Sequence, residues 1–286
     1  MRKKLVLFGA IAGVFLLASC TGNKKSTEPA YNAEEVENAN NVIKYYDTSL
    51  SLLKNVVKEK NVNAVLGYME QPGNVPAVPA VTPPALSGQD STALMNPDLY
   101  FTIETAQNLK QNFSGLFQTR ALFYANFDKY LALMKAKKMQ KAKDLLNMAY
   151  QLSIQMSEYK QNIFDILSPF VNKAQEVVLA DNPMKEQILA MKKMSSTMLS
   201  IVNLYGHKHL FDSERIDLKV IELNHELDAA KKLPAVKGHE GEIKDFENYL
   251  SKVETFIKQV QQASQKGEYS DADYEMVTSA YETSVI

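Results

Sequence analysis

A single cysteine, Cys20, stands in 286 residues, so no disulfide can form within the chain. Glycine and proline are scarce, at 11 and 10, and six of the prolines (Pro72, Pro76, Pro79, Pro83, Pro84 and Pro97) crowd into one stretch. Elsewhere little breaks the chain, and no strand alternation appears, which argues against a fold of many short strands and turns. There is no basic excess: 32 Lys and Arg face 33 Asp and Glu. That balance speaks against a nucleic-acid binder, and it is equally unhelpful for a binder of anionic membrane surfaces. After residue 17 no apolar run approaches the roughly 20 residues that a membrane-spanning helix needs. Gly-x-Ser-x-Gly, Gly-x-Gly-x-x-Gly and phosphate-loop patterns are all missing. A chain of this size buries roughly three-quarters of its unfolded surface, so its core needs no covalent staples.

What is present begins at the first residue. Met1-Arg2-Lys3-Lys4 is a compact positive cluster, and Leu5 to Leu17 carries no charge. Small residues then lead to Cys20, giving the layout of a secretory signal peptide. Leu17-Ala18-Ser19-Cys20 resembles the lipobox of bacterial lipoprotein precursors. The resemblance implies cleavage after Ser19, acylation of the Cys20 thiol with fatty acids such as palmitate, and attachment to a membrane through that lipid. Several acyl chains give stable anchoring where one does not. Thr21 in place of Asp, by analogy with the common sorting pattern, favours the outer membrane and leaves the membrane face open. Removing residues 1–19 would leave 267 residues, with 29 basic against 33 acidic side chains, a net charge of about −4. Residues 20–32 are small and polar and are expected to form a flexible tether.

From residue 33 the apolar residues repeat with helical period. Val36, Ile43, Leu50 and Val57 stand seven apart, with Ala39, Tyr46 and Leu53 between them, and predict a helix over about 33–67. Residues 71–96 interrupt it as a proline-rich loop, either a surface insertion or a docking strand. Asn96-Pro97 predicts a capped helix start, followed by a Phe- and Tyr-rich helix to about 137, which Gly115 is expected to kink or split. The next segment, 139–179, contains Pro169, expected to bend or divide it. Asn182-Pro183 opens a methionine-rich helix. Helices then start near Ser213, after Gly241 and at Ser270. The whole predicts an all-α chain of six to eight helices, an elongated bundle of long antiparallel helices, with one helical domain over 33–286.

Tyr31-Asn32, then Asn40-Asn41-Val42-Ile43-Lys44-Tyr45-Tyr46, then long Tyr-rich helices, resemble the YiiG-like all-helical lipoproteins of unknown function. That family implies no activity and no site residues.

Candidate chemistry is thin. His207 and His209, close to Asp212 and Glu214, are the weak candidates for a metal site, against an ordinary pair near a helix end. His239, Glu240 and Glu242 fit first-turn acids better than an acid–base pair. Met148, Met156, Met184, Met191, Met194 and Met198 are either core or an adaptable groove. Lys135, Lys137, Lys138, Lys141 and Lys143 form either a solvated face or a contact for phosphate groups. With Cys20 lipidated no thiol nucleophile remains. The expectation is therefore non-enzymatic, without catalytic residues or cofactor: an interaction module meeting envelope proteins. The alternative is a small-molecule or metal-binding lipoprotein using the bundle interior or the His207/His209 turn.

Overall fold

The computed structural model describes residues 30–71, 78–81, 88–206, 208 and 211–285. Among them every regular element is helical. The first part of the chain holds α1 (Ala33–Val56), α2 (Glu59–Glu70), α3 (Gly88–Leu94), α4 (Ile103–Lys135) and α5 (Met139–Val178). The second holds α6 (Lys185–Gly206), α7 (Ser213–Ala230), α8 (Glu240–Ser264) and α9 (Asp271–Val285). At 33 and 40 residues, α4 and α5 run about 50 and 60 Å.

Local chemistry sets the ends. α1 opens with a capping box: the Asn32 side chain accepts from the Glu35 N–H at 2.9 Å, and Glu35 accepts from the Asn32 N–H at 2.8 Å. Thr102 caps α4 and Asp212 caps α7. Asn96-Pro97, expected to open α4, makes only a single 3₁₀ turn, and α4 begins six residues after Pro97. The helix expected over 33–67 is two helices. Val57 stays in the core while Lys58 turns extended, so that α2 starts afresh at Glu59. The proline-rich stretch is not wholly a loop, since α3 lies inside it and is pinned to α1 by the Tyr45 hydroxyl, which donates to the Leu94 carbonyl at 2.8 Å.

Two helix breakers do not break. α5 runs through Pro169 as one helix. α4 runs through Gly115, where the ring of Tyr159 from α5 lies so close that a Cβ would sit 2.4 Å from its Cζ. Gly115 is a packing notch rather than a kink. Antiparallel pairing of α4 with α5 is set by contacts such as Asn112 with Asn162 and the buried Asn126 amide, which donates to the Leu145 carbonyl.

The apolar core within 33–286 falls into two parts. One, among α1, α2, α4 and α5, is centred on Leu66, Leu109, Phe113, Phe123 and Ile163. The other, among α6 to α9, is centred on Met194, Ile201, Tyr205, Leu223, Val253 and Phe256. In the second part each helix packs on the next and α9 returns to α6, closing a four-helix bundle. No described helix is long and apolar enough to cross a membrane.

Candidate functional site

The two core units meet along a seam that is polar rather than greasy. On the first unit it is built from α1, from Tyr46 onward, and the whole of α2. On the second it comes from α6, α9 and the turn between α8 and α9. Lys54 pairs with Glu282 at 3.6 Å and Lys60 with Glu275 at 3.2 Å, both well exposed and worth little. Deeper in, the Asn63 amide donates to the Gly206 carbonyl and to the Tyr269 hydroxyl, each at 3.0 Å, and Tyr269 donates to Asp271 at 2.8 Å. At one end Lys208 reaches Glu70 at 3.0 Å, and the Tyr150 hydroxyl donates to the same carboxylate at 3.1 Å.

The break between α1 and α2 explains the centre of this seam. It places Glu59 in the first turn of α2, where the helix dipole favours a carboxylate. There Glu59 accepts from the Lys160 ammonium of α5 at 3.4 Å, with side chains only 7% and 10% exposed. Gly206, the last residue of α6, lies against both Glu59 and Tyr274 of α9: a Cβ there would meet Tyr274 at 3.0 Å and Glu59 at 3.2 Å. Burial, then the Glu59 charge, pushes Tyr274 up to about 12, so it stays a neutral hydroxyl. Tyr46 and Tyr281 are held up near 12 chiefly by burial. Beside them burial raises the Asp47 carboxyl and lowers the Lys192 ammonium, each partly offset by the other's charge. These groups join helices.

A second constellation lies in an open groove between α6 and α7, lined by Lys193, Leu218, Ile221, His225 and Glu226 among others. Glu226 is buried beneath it. Its Oε1 accepts from Thr197 at 3.1 Å and faces Lys193 at 3.5 Å, while Oε2 has no hydrogen-bond partner. Burial holds its carboxyl above the ordinary glutamate range. Another open groove lies on α5 beside Asp144, Met148 and Tyr150.

Cys20, His207 and His209 lie outside the described residues. Among the described ones no three His, Cys, Asp or Glu side chains gather as for a metal. His225 is exposed on the groove rim. His239 faces Glu242 at 3.4 Å, and backbone N–H groups at the start of α8 hold Glu240 and Glu242 below the usual carboxylate range. Met156, Met184, Met194 and Met198 are core, whereas Met148 is exposed. The buried charges of the seam and the groove escaped the sequence reading, Lys160 and Glu226 among them. Lys160 interrupts the stripe Met156–Ile163–Leu167, and Glu226 stands three after Leu223, so each is a charge on an apolar face.

The geometry has counterparts. Residues 33–181 match a domain of unknown function, DUF6845, and residues 183–286 match the DUF3829-like C-terminal domain. The chain belongs to the DUF3829-like family. The boundary between the two matches falls where the two cores separate. An alpha helical protein from Bacteroides fragilis NCTC 9343 is 61% identical, covering 90% of this chain and all of its own, with a TM-score of 0.84. An uncharacterized DUF3829-like protein from Bacteroides thetaiotaomicron VPI-5482 is 48% identical over 88% of this chain and 98% of its own, with a TM-score of 0.78. No curated protein matches the chain.

Proposed function

We propose that the chain is an envelope lipoprotein, anchored through acylated Cys20 to the outer membrane, whose two helical units form a non-enzymatic interaction module. The observation that carries the reading is how the interior is used. Both cores are filled by large apolar side chains, with Phe113, Phe123, Tyr205 and Phe256 fully buried. The buried polar groups of the seam are spent on holding helices together. What remains for partners is the outer surface of a long rod. The twelve residues from Thr21 to Asn32 reach at most about 40 Å when extended, so a lipid on Cys20 would keep that rod beside the membrane.

Crosslinking in intact cells tests the module. A reproducible set of envelope proteins, captured from the sides of the rod, is the expected result. Only self-contacts and unconnected neighbours would overturn it.

A further inference from the structure

The turn between α4 and α5 is a concentrated basic tip. Lys135, Lys137, Lys138, Lys141 and Lys143 are all exposed there. Residues 128–144 carry six lysines against Asp128 and Asp144, a net +4 in a chain whose total is −1. None of the six lysines makes an ion pair among the described residues. Nor can the remainder of the chain readily neutralise them, because Glu28 and Asp90 are the only acidic side chains not described, and residues 71–89 hold no charge at all. α5 also starts at this point with no side-chain cap and no acid in its first turn.

The backbone adds an independent observation. α4 ends in a Schellman turn, with the Lys138 N–H donating to the Leu133 carbonyl at 2.9 Å and the Lys137 N–H to Met134 at 3.0 Å. That geometry puts Lys137 at φ +56°, the left-handed region where glycine is at ease and lysine is strained. A lysine stands at the very position where the fold would prefer glycine. Met139, 52% exposed, sits in the middle of the lysines.

We propose that this tip docks on an anionic phospholipid surface, the lysines meeting headgroup phosphates and Met139 entering between them. Lysines around one exposed apolar side chain suit a lipid interface. Single-stranded nucleic acid would ask for exposed aromatic rings along a basic groove, and the tip's ring, Tyr130, is buried. The tip is also the far pole of the rod. Tyr45 of α1 packs on Phe101, which packs on Phe170, at the other ends of α4 and α5. Tyr45, midway along α1, thus lies about 50 Å from the tip, the length of α4, and α1 begins farther still. The proposal stands whether or not Cys20 is acylated. With that lipid in place, the rod would be held at both poles.

The test is co-sedimentation of the full chain with vesicles of phosphatidylcholine alone and of phosphatidylcholine mixed with phosphatidylglycerol. The expected result is tighter binding to the mixed vesicles, relaxed by salt. Replacing Lys138, Lys141 and Lys143 together by Gln should weaken the anionic increment about a hundredfold, near fivefold for each lysine. Lys137→Gly should raise the melting temperature yet weaken the increment about fivefold, a split that a purely structural role for the turn would not give. Equal binding to both vesicle types, or variants that bind as the parent does, would overturn the proposal. Capture by single-stranded DNA without capture by the mixed vesicles would do the same.

Discussion

Two glycines inside helices make opposite predictions from the same substitution. Alanine in place of a mid-helix glycine removes backbone entropy from the unfolded chain and is worth about 0.5–1 kcal/mol. At Gly67 in α2 a Cβ would meet nothing within 4 Å, so Gly67→Ala should stabilise by that amount. At Gly115 in α4 a Cβ would meet three atoms of the Tyr159 side chain at 2.4, 2.6 and 2.8 Å. Overpacking of this kind costs about 1–3 kcal/mol. Tyr159 is only partly buried and can swing outward, which puts the cost in the lower part of that range. The net effect of Gly115→Ala is then a loss of about 1 kcal/mol. Urea denaturation followed by circular dichroism reads both variants against the parent, as shifts of midpoint in opposite directions. Adding Tyr159→Leu to Gly115→Ala should recover most of the loss by restoring space. If Gly115→Ala shifted the midpoint upward as Gly67→Ala does, the notch reading of α4 and α5 would be wrong.

The seam and the groove give two further expectations. Lys160→Met strands the buried Glu59 carboxylate and should cost about 3–5 kcal/mol, whereas Glu59→Leu with Lys160→Met should return close to the parent; a single variant no worse than a surface change would refute the buried pair. Because burial raises the Glu226 carboxyl above its unfolded value, the folded chain binds that proton more tightly than the unfolded chain does. The parent should therefore lose stability relative to Glu226→Gln as the pH rises from about 4.3, the ordinary glutamate value, through the raised one. Denaturation of both proteins over that window checks the sign, and a difference that is flat or rises with pH would contradict it.

The helices were legible because their signals are local. Asn182-Pro183 ahead of α6, Ser213 at the start of α7, and Ser270 ahead of α9 announce helix starts in a few residues. The apolar period carries the rest. What was not legible depends on partners distant in sequence. Lys58 and Glu59 are good helix formers, and the break at Lys58 exists because Val57 is kept in the first core while Glu59 meets Lys160, 101 residues on. Gly115 reads as a kink until Tyr159 is beside it. The predicted stripe of α1 is only half-buried at Ile43, Tyr46 and Leu50, since that helix serves two neighbours: α5 covers one side, and the second unit meets the other at Tyr46 and Asp47. The division of the core in two was hidden for the same reason, the helical period being alike on both sides of residue 182. Of the site, the lysines of the tip were visible as a run, while the strain at Lys137 appears only in the backbone.

Labelling growing cells with radioactive palmitate, and comparing the full chain with Cys20→Ser, decides whether lipid at Cys20 holds this helical module on a membrane. The expected result is a labelled parent that sediments with the membranes and a Cys20→Ser chain without label. A parent without label, or equal label on the Cys20→Ser chain, would contradict it.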